Sequence, residues 1–205
     1  VKKAGTIGTI GCTSFFPSKN LGCFGDGGAI FTNDDVLAAK LRKMANHGQS
    51  VQYVHDEVGV NSRLDSIQAA ILRIKLRRLN EYNAARQKAA AYYSQAFSTF
   101  KELIVPKIAK NSTHVFHQYT LQCVGIDRDK LRTFLTEKGI PCMVYYPIPL
   151  HHQKAYLQPQ ANDDDFKVTL DLCKNVFSLP MHTELTKEQQ DFIINGVKEF
   201  IATTA

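Results

Sequence analysis

The spacing of apolar residues alternates between two periods along the chain, and the changes predict its elements. Ile10, Cys12 and Ser14 alternate with Gly11 and Thr13, which predicts a short strand entering a turn that Pro17 stops. Gly25, Gly27 and Gly28 predict a flexible turn, and Ala29–Thr32 a buried strand. Asn33 is a suitable N-cap for a helix from Asp34 to about Ala45, with Asp34 and Asp35 favouring its dipole. Residues 46–62 lack a helical period and carry two glycines and two histidines. They read as a loop of a length that is usually functional or mobile. From Leu64 to about Phe97 runs the longest helical pattern, with Leu64, Ile67, Ala70, Ile71, Ile74 and Leu76 at i, i+3 and i+4 spacings and a bend expected near Leu79–Asn80.

Beyond Phe97 the composition changes, which divides the chain into residues 1–98 and 99–205. Lys101–Thr113 reads as a connector. Val115–Val124 is strand-like, with Val115, His117, Tyr119, Leu121 and Cys123 facing one way. Asp127 can cap a helix over Arg128–Lys138, which Gly139 and Pro141 end. Pro141–Tyr146 reads as a strand, Pro147–Leu157 as a loop, Phe166–Cys173 as a helix and Val176–Leu179 as a short strand. Thr186-Lys187-Glu188-Gln189 is a capping-box pattern for a last helix reaching about Ile201. Strands alternating with helices imply an α/β or α+β module.

Composition narrows the function classes. With 44% hydrophobic and 21% charged residues, the 205-residue chain is ordinary for a globular protein and long enough for one large or two small domains. No apolar run is long enough for a transmembrane helix, and Val1-Lys2-Lys3-Ala4-Gly5 lacks the apolar core of a secretory signal. The net charge of +6 suits a solvated basic surface or attraction of an anionic ligand such as a phosphate or nucleotide. No basic block interleaved with aromatics supports nucleic-acid binding. Five cysteines without a C-x-x-C pair suggest free thiols in a reducing cytoplasm rather than a disulfide framework or zinc site.

The candidate chemistry centres on Lys19. Its amine is a weak nucleophile at neutral pH unless burial or nearby positive charge lowers its pKa. Phe15, Phe16, Leu21 and Phe24 are apolar, and no acid lies within six residues of it. Ser14 and Ser18 offer hydroxyls to a phosphate. An ordinary surface lysine beside serines would read the same way.

Three motifs in order extend this reading. Ser14-Phe15-Phe16-Pro17-Ser18-Lys19-Asn20-Leu21 precedes Gly25-Asp26-Gly27-Gly28-Ala29-Ile30. Gly59-Val60-Asn61-Ser62-Arg63-Leu64-Asp65 runs on to Gln68-Ala69-Ala70, and Tyr146-Pro147-Ile148-Pro149-Leu150-His151 comes third. Together they resemble the DegT/DnrJ/EryC1/StrS sugar aminotransferases, fold-type I enzymes dependent on pyridoxal 5′-phosphate. Within that family the wording is most similar to the enzymes acting on UDP-linked 2-acetamido-3-keto-hexuronic acids.

The resemblance implies an α/β fold comprising the C-terminal half of a fold-type I subunit. Residues 1–98 would be the end of the cofactor-binding large domain with its connecting helix, and 99–205 the small C-terminal domain. It implies that Lys19 holds pyridoxal phosphate as a Schiff base and moves the proton between donor and cofactor. Ser14 would bind the cofactor phosphate, and Asn61 the phosphate of the neighbouring subunit's cofactor, beside a helix-capping role. Arg63 would bind an acidic substrate, and Tyr145 and Tyr146 would face the sugar. The relatives on uronates carry His-Tyr where this chain has Tyr145-Tyr146, so the exact sugar stays open. The implied partners are glutamate, a nucleotide-linked keto-sugar and a second copy of the chain in a homodimer with shared active sites, with neither nucleic acid nor membrane. The setting would be cytoplasmic polysaccharide synthesis, such as lipopolysaccharide O-antigen.

Two other readings stand beside this one. A sugar dehydratase of the same fold would carry His where Lys19 stands, and a non-catalytic fragment would serve only folding or dimer contacts. His151 and His152 invite a metal or general-base reading, but no third ligand lies at a sensible spacing, which favours a structural or substrate-lining role. The acid that pairs with the pyridine nitrogen and the residue covering the cofactor ring lie far upstream of the lysine in this family. Only 18 residues precede Lys19, so neither is expected here, and the 205-residue chain alone is expected not to transaminate.

Overall fold

The computed structural model describes residues 2–157 and 161–204; Val1, the first residue of the N-terminal stretch, lies outside them. The chain separates into two compact units, Val1–Asn80 and Glu81–Ala205.

In the first unit, β1 (Gly11–Ser14) pairs antiparallel with β2 (Gly28–Phe31), Ser14 opposite Gly28. The strand expected to be buried is largely exposed within this chain, with Ile30 and Phe31 uncovered on a two-stranded ribbon to which the chain itself adds no second layer. Helix α1 (Asp35–Ala45) begins one residue later than expected, and its cap is Asp34 rather than Asn33: the Asp34 carboxylate accepts from the Leu37 amide at 3.0 Å. The stretch read as a loop contains a hairpin, β3 (Gln49–Val51) with β4 (Val54–His55), too short for a two-residue period to show. Helix α2 (Ser66–Leu76) comes next. The long helical pattern breaks at residues 77–78, close to the expected bend, and resumes as α3 (Leu79–Phe97).

The second unit is a three-stranded antiparallel sheet, β5 (Leu103–Ile104), β6 (Tyr119–Cys123) and β7 (Val176–Leu179), in that order, with α4 (Arg128–Glu137), α5 (Lys167–Asn175) and α6 (Lys187–Thr204). Strand β5 lies inside the stretch read as a connector. Strand β6 buries Tyr119, Leu121 and Cys123 and half-exposes the residues between, as the alternation predicts, but it is shorter than expected: Val115 is exposed and Phe116, at φ +44°, is buried instead, so the alternation does not extend ahead of Tyr119. Asp127 caps α4 by accepting from the amides of Asp129 and Lys130, and Gly139, at φ +76°, closes it. Thr186 and Gln189 make the reciprocal bonds of the capping box at 3.0 and 3.2 Å. Pro141–Tyr146 forms no strand. Only Met143 pairs, with Ser178; Pro141 at the start of the segment has no N–H to give a ladder, and Pro147 bounds it at the other end.

The core lies among α3, the sheet, α4 and α6. Tyr93, Phe97, Tyr119, Leu121, Leu131, Leu135, Phe177 and Val197 are fully buried in it. A Cβ on Gly196 would sit 2.8 Å from Ile140 Cδ1, so glycine lets α6 close on the end of α4. Residues 81–97, assigned to the first part of the chain by composition, send Tyr93 and Phe97 into this second core. Arg86, 7% exposed, donates from one nitrogen to the carbonyls of Phe116, His117 and Met181. Its burial lowers its pKa from the usual guanidinium value.

Candidate active site

Lys19 sits half-buried in a turn after β1, where its amide donates to the Phe16 carbonyl at 2.9 Å. Gly22 and Cys23 hold this turn shut. A Cβ on Gly22 would lie 2.4 Å from the Pro17 carbonyl oxygen, so only glycine allows the chain to fold back so closely. Cys23 is fully buried, its amide donating to Phe15 and its Sγ 2.9 Å from the carbonyls of Phe15 and Gly25. Helix α2 then anchors the loop from a distance in sequence. Gln68 accepts from the Phe24 amide at 2.8 Å, and Lys75 Nζ donates to the Gly22 carbonyl at 2.6 Å while lying over the Phe24 ring. Ser14 ends β1 in an exposed position, its hydroxyl accepting from the Phe16 amide at 3.2 Å.

Asn61 and Arg63 are brought together. Arg63 Nε donates to Asn61 Oδ1 at 3.0 Å and Nη1 to Asn46 Oδ1 at 3.4 Å. Among the described residues, no carboxylate lies within ion-pair range of Arg63. A planar cation is thus oriented by two neutral amides rather than neutralised by an acid, an arrangement suited to a carboxylate or phosphate ligand.

The segment that carries Asn61 is fixed by close backbone approach. A Cβ on Gly48, at φ +72°, would lie 1.7 Å from the Glu57 carbonyl oxygen, and one on Gly59 would lie 2.2 Å from the Gly48 nitrogen. Lys43 bridges Asp56 and Glu57 at 3.2 and 3.3 Å. Hydrogen bonds from Ser50 and then Lys43 hold the Asp56 carboxyl below the usual carboxylate range.

Asn61 and Arg63 also line a groove of about 1090 Å³, with Thr13, Asp26 and Gly28 on its wall. Ser14 and Lys19 do not line it. Tyr145 and Tyr146 belong to the second unit, joined by a cis peptide with their rings edge to face at 5.8 Å; Tyr146 is the more exposed. Sequence reasoning missed Asn46, which it placed only at the start of the loop 46–62 and which meets Arg63 across 17 positions. It also missed the part of Lys75, whose contact spans 53.

The sequence model of the DegT/DnrJ/EryC1/StrS aminotransferase family matches residues 1–198. The chain belongs to this family. The UDP-2-acetamido-2-deoxy-3-oxo-D-glucuronate aminotransferase of Pseudomonas aeruginosa is 46% identical over 184 residues, covering 90% of this chain and 50% of that protein. A DegT/DnrJ/EryC1/StrS aminotransferase from Brucella abortus superposes with a TM-score of 0.86 at 39% identity, over 96% of this chain and 52% of that one. NtdA of Bacillus subtilis, solved with bound cofactor PMP, gives 0.82 at 29% identity, over 95% and 46%. The α/β architecture is therefore that of the fold-type I DegT aminotransferases. The chain spans about half the length of the curated relatives it matches. Among the described residues, no helix is long and apolar enough to cross a membrane.

Proposed function

We propose that this chain is the lysine-bearing part of a pyridoxal phosphate-dependent aminotransferase that moves an amino group from glutamate to a nucleotide-linked keto-sugar. The observation that carries the reading is a lysine on a turn closed by Gly22, in a chain matched to the sugar aminotransferase family over almost its whole length. The donor set fits the cofactor and an acidic substrate: a primary amine for the cofactor aldehyde, a serine hydroxyl at a strand end for its phosphate, and, for the substrate carboxylate, a guanidinium that no acid among the described residues neutralises.

Lys19 Nζ would hold the aldehyde carbon and Ser14 the phosphate oxygens of one cofactor, and Asn61 the phosphate of the neighbouring subunit's cofactor. Bound pyridoxal phosphate supplies the electron sink for the chemistry at the donor Cα. Lys19 is the group that takes the proton from that Cα and returns it on the way to product. Arg63, held in its plane by Asn46 and Asn61, grips the carboxylate of glutamate or of a hexuronate. The relative from Pseudomonas aeruginosa, named for a keto-glucuronate, supports an acidic sugar, with Tyr145 and Tyr146 facing it. Asn61 and Arg63 act on the neighbouring subunit's cofactor and substrate, so the working unit is a homodimer, cytoplasmic and engaged in cell-surface polysaccharide synthesis.

The test uses the full-length protein. Lys19→Ala abolishes both half-reactions and the Schiff-base absorbance with pyridoxal phosphate, while Arg63→Ala raises KM for the acidic substrate. Mixing Lys19→Ala with Arg63→Ala subunits restores part of the activity, because hybrid dimers contain one intact shared site. A Lys19→Ala enzyme that still turned over would overturn the assignment, and failure of the mixed subunits to complement would remove the shared-site claim.

A further inference from the structure

His151 and His152 lacked a third ligand in the sequence, and the fold supplies one. Residues 150–152 form a short 3-10 turn, and residues 163–166 form another. The two turns meet so that both histidine Nε2 atoms face the same carboxylate oxygen, Asp163 Oδ1, at 3.1 Å from His151 and 2.7 Å from His152. One candidate ligand atom from each residue lies within 4.8 Å of the other two.

We propose that His151, His152 and Asp163 form a binding site for a divalent first-row transition cation of the Zn²⁺ type, with a fourth position open to water. Two imidazoles and one carboxylate suit Zn²⁺, Co²⁺ or Ni²⁺, whereas Mg²⁺ and Ca²⁺ demand oxygen ligands. Donors about 2.0–2.2 Å from a tetrahedral ion stand about 3.3–3.6 Å apart. The donor spacings of 3.1 and 2.7 Å need widen only by tenths of an ångström to admit one.

The site is held in shape without the ion. The His151 ring stacks on Phe166 at 4.2 Å and 22°, and Phe166 comes from the same turn as Asp163. That turn is capped by Asn162, whose side chain accepts from the Asp164 amide at 3.1 Å. Asp164 itself is engaged by Lys167 at 3.1 Å, leaving Asp163 as the carboxylate that faces the histidines. His151 is nearly buried while His152 and Asp163 are open, so an ion could enter from the solvent side and keep a water there. A bound cation would clip residues 150–152 to 163–166, beside the Pro147–Leu150 motif that comes after Tyr146.

The experiment titrates CoCl₂ and ZnCl₂ into the tag-free full-length protein without pyridoxal phosphate, tracking Co²⁺ visible absorption and Zn²⁺ calorimetry. One equivalent binds with a d–d spectrum of nitrogen and oxygen ligands. Asp163→Ala and His152→Ala each weaken binding at least about tenfold, while Cys12→Ser and Cys173→Ser leave it unchanged. Saturation also slows hydrogen exchange at residues 150–153 in the parent and not in Asp163→Ala. Absence of uptake, unchanged affinity in both ligand variants, or a thiolate charge-transfer band lost with a cysteine would overturn the proposal. Asp163 and His152 are surface side chains, so circular dichroism of the variants checks that folding is intact.

Discussion

The two units bury their apolar residues to very different degrees. Residues 81–204 enclose a continuous core around Tyr93, Phe97, Tyr119 and Phe177. Within residues 2–80 only Cys23 and Leu72 are buried apolar side chains, while Ile7, Ile30, Val36, Val58, Ile67 and Ile74 stand open. The second unit is thus held by hydrophobic burial, which scales with area and tolerates small changes of geometry. The first is held by directional ties: Gln68 and Lys75 on the Lys19 loop, Lys43 on Asp56 and Glu57, and glycines at sites with no room for a Cβ. Within this chain, the candidate Schiff-base lysine and its anion-binding partners therefore lie where close glycine approaches and hydrogen bonds, rather than buried apolar area, fix the backbone. There, positioning depends on individual hydrogen bonds.

The sharpest way to break that contrast is to truncate one large aromatic in each unit. Phe177→Ala, emptying a fully buried site, should cost about 3–5 kcal/mol in denaturant unfolding of the second unit. Phe31→Ala, at a residue 43% exposed, should cost less than about 1 kcal/mol; equal costs would abolish the distinction. Next in size, Gly48→Ala should destabilise the hairpin region locally by about 1–3 kcal/mol, since it adds a Cβ at positive φ against the Glu57 carbonyl. Hydrogen exchange would then speed up over residues 46–61 and stay unchanged at Tyr119–Cys123. Smaller still, Thr186→Ala removes half of the capping box and should cost about 1 kcal/mol in the second unit, read as a shift of its denaturation midpoint.

The smallest effect is a pH dependence. Backbone amides, that of Lys130 first, hold the Asp127 carboxyl below its usual value. A depressed pKa means stabilisation that is complete above the unfolded value, near about pH 4, and lost as pH falls through the native one. Asp127→Asn should flatten that acid limb of the stability curve; an unchanged acid limb would show that the carboxylate contributes nothing through the cap.

Features set by near neighbours were legible in the residues. The Asp127 cap, the Thr186–Gln189 box, the break in the long helix and the buried alternation of β6 each depend on neighbours a few positions away. Short segments fared worse. Strands β3, β4 and β5 are two or three residues long, too few to establish a period. Pro141–Tyr146 has strand-like composition, but its flanking prolines leave little to pair.

The sequence by itself determined the local backbone, the inward face of β6 and the motifs that place Lys19, Asn61 and Arg63 in an aminotransferase family. All of these are carried by side-chain type and near-neighbour spacing. Only the tertiary structure decided that Asn46 orients Arg63, that α2 anchors the Lys19 loop, and that Asp163 meets His151 and His152. Those contacts join residues from 11 to 53 positions apart, and their geometry depends on the path of the chain between them, which no periodicity encodes.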